Sequence, residues 1–239
     1  MSFQSALESL RSAQKPSSGT PAYSRLVNRP AARYVAAAVS TRGMTPNQAT
    51  AISALLSGTA IVILAVAQPR WWTGLLIGGL LVAGYIMDSV DGQLARLYRG
   101  GSKAGEWLDH TIDCTKTVSL HLAVAISWFR FPQVDSDYAL LIPLGYAVVA
   151  SVSFFGLIIM PTLRPRPVKV SAGPEGEAWW RKFALLPTDY GFLCLAFLFA
   201  GISPLFFWIY IGFFVLNACA LALALRKWWR ELVVLDRAS

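Results

Sequence analysis

Residues 88–113 read DSVDGQLARLYRGGSKAGEWLDHTID. Four aspartates in this stretch, Asp88, Asp91, Asp109 and Asp113, fall in two pairs on either side of a short polar turn at Gly100-Gly101. Asp88 and Asp91 are spaced i, i+3, and Asp109 and Asp113 i, i+4, so each pair occupies one face of a helix. A chain that folds back at the glycines sets the two helices antiparallel. Asp88 and Asp113 then stand about equally far from the turn, roughly 18 Å along each axis at 1.5 Å per residue. Asp91 and Asp109 stand nearer to it, again at matching heights. The four carboxylates therefore converge between two helices. Like charges that close do not all stay ionised without cations. Ligation by oxygen alone favours a hard divalent ion, Mg²⁺ or Mn²⁺.

Outward from this stretch the sequence is apolar over long runs. Of 239 residues, 55% are hydrophobic and only 14% charged, and the mean hydropathy is +0.50. That balance excludes a soluble core and predicts an all-α, polytopic membrane protein. Six spans are expected, at about 46–67, 72–98, 103–131, 138–160, 184–201 and 204–225. Thr45-Pro46-Asn47 opens the first, with Pro46 in the first turn and Thr45 as its cap. Trp71 and Trp72 read as an interface belt. Residues 1–20 have no signal-peptide h-region and are expected to be loosely ordered. Residues 21–44 carry Arg25, Arg29 and Arg33 at i+4 steps and read as an amphipathic juxtamembrane helix on the membrane surface. The six-helix membrane domain occupies 45–230, and 231–239 form a tail. At 161–182, Pro161, Pro165, Pro167 and Pro174 interleave with Arg and Lys in a cationic loop.

The formal net charge of +8 does not imply a nucleic-acid partner, because the basic residues sit in loops between apolar spans. Membrane topology and anionic lipid account for them more simply. Lys and Arg crowd the N-terminal segment, the second-to-third loop, the fourth-to-fifth loop and the tail, whereas the alternate loops hold only Arg70 and Arg130. Positive-inside asymmetry then puts both termini and the four aspartates toward the cytoplasm. Cys114, Cys194 and Cys219 lie in apolar runs without CxxC spacing and read as reduced small core residues. His121 reads as a bundle-packing residue. His110, beside Asp109, is open between packing and function.

The spacing Asp88-x2-Asp91-Gly92-x2-Ala95-Arg96-x8-Gly105-x3-Asp109-x3-Asp113 resembles the signature of the CDP-alcohol phosphotransferase family, integral membrane enzymes that build phospholipid head groups. The resemblance runs from about Tyr23 to the sixth span. It implies transfer of a phospho-alcohol from a CDP-alcohol, CDP-diacylglycerol among the candidates, to an acceptor hydroxyl, with release of CMP. It implies that Asp88, Asp91 and Asp109 ligate one or two metals, with Asp113 at the acceptor side as a candidate base. It also implies a homodimer in a bacterial-type inner or plasma membrane. Gly92 and Ala95, with Gly105 on the facing helix, leave room for a nucleotide against the backbone, though close helix packing needs the same small residues. Arg96 can bind phosphate, pin a carboxylate or snorkel to the surface. Asn47 and Thr50 resemble the polar positions by which the family's first span borders the nucleotide pocket. Lys116, one turn past Asp113, suits either an anionic acceptor or balance of the aspartates. Asp189, an ionisable group at the start of the fifth span, is a candidate for the acceptor side, as is His110. The ending GEWLDHTID, residues 105–113, looks more like that of choline and ethanolamine phosphotransferases than the Asp-Arg ending of bacterial phosphatidylglycerol-phosphate and phosphatidylinositol-phosphate synthases.

Two other readings compete. A divalent-cation transporter also places acidic residues within spans, but near the bilayer midplane in broken helices. A lipid-binding scaffold descended from such an enzyme would not need all four aspartates. The charge asymmetry yields a direct test of topology. A cysteine introduced at Ser2 or Ser239 should resist an impermeant thiol reagent in intact cells, and labelling from outside would overturn the orientation.

Overall fold

The computed structural model describes residues 2–13, 22–98, 100–132, 136–164 and 189–238. All regular structure among them is helical. Helix α1 spans Phe3–Ser12, and a π-helical turn at Ser24–Asn28 runs into α2, Arg29–Ser40. The helices α3, Pro46–Val66, α4, Trp71–Leu97, and α5, Lys103–Arg130, follow. A 3₁₀ turn at Asp137–Leu140 leads into α6, Leu141–Leu163. After the undescribed stretch come α7, Tyr190–Ala196, its 3₁₀ extension Phe197–Phe199, and the 36-residue α8, Ser203–Ala238.

Among the described residues, four helical stretches are long and apolar enough to cross a membrane: Pro46–Val66, Trp71–Leu97, Asp137–Leu163 and Ser203–Arg237. The protein is thus a polytopic helical membrane protein with at least four candidate spans. Helix α5, with 28 residues, has the length but carries the charged residues of the aspartate region. The expected fifth span is represented by the shorter apolar stretch Tyr190–Phe199. Its expected start at 184 and most of the cationic loop at 161–182 lie outside the described residues.

Local chemistry explains where the helices begin and turn. Thr45 caps α3 as expected: its Oγ1 accepts from Gln48 N, and Gln48 Oε1 accepts from Thr45 N, a reciprocal capping box. The turn before it uses Gly43 at φ +72°, a left-handed conformation that glycine adopts without steric penalty. Ser102 caps α5 by accepting from Gly105 N at 3.0 Å. The hairpin between α4 and α5 therefore closes over the glycine turn that the sequence marks.

Two apolar cores result. The larger joins α3 to α8 through Leu64, Leu81, Leu120, Val124, Trp128, Phe197, Phe206 and Tyr210. Within it His121 Nδ1 lies 2.6 Å from Tyr210 Oη, and its ring stacks on Tyr146 at 3.9 Å between centroids. His121 is the packing residue expected, tied into a buried hydrogen-bonded network. Of the three free cysteines, Cys194 alone is buried; Cys114 and Cys219 are exposed on the helix surface, so the expectation of core residues fits one of them.

The smaller core gathers Ala6 and Leu10 of α1, Ala32, Ala36 and Ala37 of α2, Ala49, Val90 and Leu94. Residues 3–12 are therefore ordered where loose order is expected. Their polar composition hides the reason: Ala6 and Leu10, one turn apart, present one apolar stripe, and it is covered by the alanine face of α2.

Helix α4 approaches its neighbours closely through glycines. A Cβ on Gly78 would stand 2.6 Å from Leu198 N, and one on Gly74 2.8 Å from Leu198 O. Backbone cannot give way as a side-chain tip can. Gly78→Val should destabilise the bundle by roughly 1–3 kcal/mol or more, the range for overpacking, whereas Gly79→Val, with nothing within 4 Å of its Cβ position, should be neutral. Thermal melting of both variants in one detergent checks the contrast; equal stability would refute the close approach.

Candidate active site

The face of α3 toward α4 carries Thr50, Ser53 and Ser57, all buried. These small side chains let the helices close up at Gly84, where any Cβ would run into Ser57 Oγ. The hydroxyls then meet the aspartates. Thr50 Oγ1 donates to Asp91 Oδ2 at 2.7 Å. Ser53 Oγ donates to the Gly84 carbonyl at 2.9 Å and lies 3.4 Å from Asp88 Oδ1.

From the facing helix α5, Asp109 and Asp113 complete the group. One carboxylate oxygen each from Asp88, Asp109 and Asp113 lie within 4.8 Å of one another. Such a cluster fits a hard divalent ion: every donor is a carboxylate oxygen, and helix packing holds the three at ligand spacing. Asp91 is more deeply buried than its three companions and is oriented by Thr50. Lys116 reaches the same cluster. Its Nζ stands 2.5 Å from Asp88 Oδ1, 2.7 Å from Asp113 Oδ1 and 3.3 Å from Ser53 Oγ.

Two cavities flank the aspartates. The larger, about 720 Å³, is lined by Asn47, Thr50, Asp91, Gly92, Ala95, Arg96, Gly105, Asp109 and His110, together with Thr45, Ser102, Lys103 and Glu106. All six residues expected to border a nucleotide share this one space. At Gly105 α5 passes close to α3, since a Cβ there would meet Asn47 Oδ1 at 3.1 Å. Arg96 brings positive charge to the wall, and its Nε is buried without a hydrogen-bond partner among the described residues. The smaller cavity, about 180 Å³, lies on the other side. It is lined by Asp88, Asp113, Lys116 and Thr117 with an aromatic wall of Tyr85, Phe154 and Tyr190.

The three residues expected at the acceptor side separate in space. Lys116 lines the smaller cavity beside Asp113, whereas His110 lines the larger one beside Asp109. Asp189 is buried and occupied elsewhere. Its Oδ1 accepts from Gly191 N at 3.0 Å, capping α7, and its Oδ2 accepts from Ser24 N at 3.1 Å. It latches the N-terminal segment to α7, next to Tyr190, and lines neither cavity.

Sequence reading missed Ser53, Tyr85, Thr117 and Phe154, and marked Tyr190 only as the neighbour of Asp189. For Ser53 a signal existed: Thr50, Ser53 and Ser57 recur at i, i+3, i+7 along one face of an apolar span. The aromatic wall had none, since its members come from three helices and resemble ordinary span residues.

A family model described as CDP-alcohol phosphatidyltransferase matches residues 43–225, and so covers both cavities and all four aspartates. A phosphatidylinositol phosphate synthase of Corynebacterium glutamicum is 34% identical over 109 residues, 45% of this chain and 47% of that protein. An archaetidylinositol phosphate synthase of Pyrococcus horikoshii is 37% identical over 84 residues, 35% of this chain and 42% of that protein. The chain thus matches less than half the length of these curated relatives. Both are named for inositol phosphate products, whereas the ending at residues 105–113 reads as nearer that of choline and ethanolamine phosphotransferases. With its model matched over most of the chain and its aspartates gathered at one point, the protein belongs to the CDP-alcohol phosphatidyltransferase family.

Proposed function

We propose that the protein transfers a phospho-alcohol from a CDP-alcohol to an acceptor hydroxyl, with release of CMP, as a step of lipid biosynthesis. The observation that carries this reading is the position of the aspartates between two cavities. Asp91 and Asp109 line the larger, and Asp88 and Asp113 the smaller. A donor in one and an acceptor in the other would meet at the carboxylates, which is the arrangement a two-substrate transfer needs.

In this reading the larger cavity takes the cytidine diphosphate end of the donor, CDP-diacylglycerol being one candidate. Gly92 and Ala95 leave the α4 backbone open to it, Asn47 and Thr50 border it, and Gly105 clears the facing helix. Arg96 offers a planar fork of donors to a diphosphate. Asp88, Asp91 and Asp109 would hold Mg²⁺ or Mn²⁺, which when bound polarises the diphosphate and offsets charge on the leaving group. Asp113 stands at the acceptor side and removes the proton of the hydroxyl. The hydroxyl oxygen then bonds to the phosphorus distal to cytidine, and the bond from that phosphorus to the bridging oxygen breaks to release CMP. Lys116 has given its donors to Asp88, Asp113 and Ser53, which supports balance of the aspartates over capture of an anionic acceptor.

The same reading takes the membrane domain as six spans, with α5 as the third and Tyr190–Phe199 as part of the fifth. Helix α2 lies at the membrane surface, both termini and the aspartates face the cytoplasm, and two copies form a homodimer. The rival transporter reading loses support because α4 and α5 run unbroken through all four aspartates.

Purified protein should release CMP from a CDP-alcohol with Mg²⁺ or Mn²⁺ and an acceptor alcohol, and excess chelator should abolish release. Full turnover in chelator would remove the metal from the mechanism. Asp113→Asn should keep CDP-alcohol binding and lose transfer by roughly 10²–10⁴-fold, the usual worth of a positioned base. Asp88→Asn should lose metal-dependent nucleotide binding as well. Equal loss of binding in both would make Asp113 chiefly a ligand and turn attention to His110.

A bulky side chain at Ala95 enters the proposed nucleotide space without touching the aspartates. Ala95→Leu should fold normally and bind CMP at least about tenfold more weakly, equivalent to about 1.4 kcal/mol. Unchanged CMP affinity by calorimetry would assign Ala95 to helix packing.

A further inference from the structure

The aromatic wall of the smaller cavity is held from outside it. Tyr85 comes from α4 and Tyr190 from the start of α7, and their rings meet edge to face at 5.3 Å. Tyr23 touches both helices without lining the cavity itself. It is only 7% exposed. Its ring stacks on Tyr85 at 6.4 Å and meets Phe192 edge-on at 5.6 Å. It also presses on the α7 backbone at Gly191, where any Cβ would run into the Tyr23 ring.

Polar contacts keep that ring in place. Ser24 N donates to Asp189 Oδ2 at 3.1 Å, and Asp189 also caps α7 by accepting from Gly191 N. Asn28, fully buried, donates Nδ2 to the Tyr85 carbonyl at 3.2 Å and to Ser89 Oγ. One latch runs to α7 and the other to α4. Close-packed rings held in this way yield only when a neighbour is removed. The brace lies before residue 43, where the match to the family model begins, so it is a feature of this chain outside the matched region.

The cavity is small. Its volume of about 180 Å³ falls below the roughly 300–1,000 Å³ of pockets for drug-sized ligands, so it admits a compact molecule. On one side Lys116 pins Asp88 and Asp113. The Tyr85–Tyr190 wall is what a change in the brace displaces.

We propose that Tyr23 is the positioning residue that sets the width of the smaller cavity and so excludes bulky alcohols as acceptors. It acts through Tyr85 and Tyr190. When the ring is lost, the wall falls back into part of the space it leaves, as neighbours of a core truncation do. The larger cavity is bounded by other residues and keeps its shape. The inference rests on the reading of the smaller cavity as the acceptor side, and adds a size limit and the residue that imposes it.

The first test reads the width without an acceptor. Thr117→Cys puts a thiol in the smaller cavity of the full chain, with the exposed cysteines removed by Cys114→Ser and Cys219→Ser. Methyl and benzyl methanethiosulfonate are compared in detergent. The methyl reagent should react faster by about tenfold or more, the low end of what a tight apolar pocket gives against added bulk. Tyr23→Leu should erase this preference with little change in the methyl rate, and Tyr23→Phe should keep it. Asp189→Asn reaches the same latch from α7, because an amide has one acceptor oxygen for the two N–H groups. It should weaken the preference, and it serves if Tyr23→Leu does not fold. No preference in the wild type, an unchanged preference in both variants, or an equal rise in both rates would overturn the proposal.

The second test follows CMP release from CDP-diacylglycerol with Mn²⁺ and ethanolamine, glycerol or myo-inositol. Tyr23→Leu should raise kcat/KM for myo-inositol relative to glycerol by about tenfold and leave the KM for CDP-diacylglycerol unchanged. A lost thiol preference without this change would refute the cavity as the acceptor side. No CMP release with any alcohol would tell against the transfer reading itself, and the acceptor half of the proposal would fall with it.

Discussion

Four carboxylates held together inside an apolar helix bundle are the constraint on which the rest of this structure depends. Ionisable groups within a membrane domain are costly unless each has a partner. The chain supplies partners from two helices. Thr50 reaches Asp91 from α3, Lys116 reaches Asp88 and Asp113 from α5, and Ser53 ties the lysine back to α3. These contacts require the three helices to lie very close. The small residues at their interface, Gly84 against Ser57 and Gly105 against Asn47, are what allow that approach.

Close packing also shapes the space on either side. The capped starts of α3 and α5, at Thr45 and Ser102, both line the larger cavity. On the other side Tyr85 and Tyr190 meet edge to face at 5.3 Å and wall the smaller cavity. Their placement is secured from outside the site. Tyr23 stacks on Tyr85, Asp189 binds Ser24 N, and Asn28 Nδ2 donates to the Tyr85 carbonyl and to Ser89. The N-terminal segment thus braces the helices that carry the aspartates. The π-helical turn at Ser24–Asn28 sits at this brace, as such turns often do beside functional sites.

The family assignment and the named relatives bear on different levels. Membership of the CDP-alcohol phosphatidyltransferase family rests on most of the chain, and the gathered aspartates support the proposed reaction class. The relatives' names concern the acceptor, and their similarity covers less than half of this chain. In the proposed reading, the acceptor is chosen at the smaller cavity. Two of its walls come from Phe154 and Tyr190, which lie well outside the aspartate stretch on separate helices.

The sequence by itself determined the helical membrane class, the two aspartate pairs, their meeting across the glycine turn and the residues around the larger cavity. All of these follow from short-range rules. Helix periodicity puts i, i+3 and i, i+4 residues on one face, apolar runs mark spans, and a capping box or a glycine pair marks a boundary. Only the tertiary structure decided what Lys116, Asp189 and residues 3–12 do. Lys116 could have served a ligand or the aspartates, and its distance to Asp88 settles its partner among the side chains. Asp189 carried the mark of a functional charge but caps α7 and latches Ser24, 165 positions away in the chain. Residues 3–12 read as loose until α2 covers Ala6 and Leu10. In each case the deciding partner is distant in sequence, and a residue's own type and neighbours along the chain say nothing of which distant group packing will bring to it.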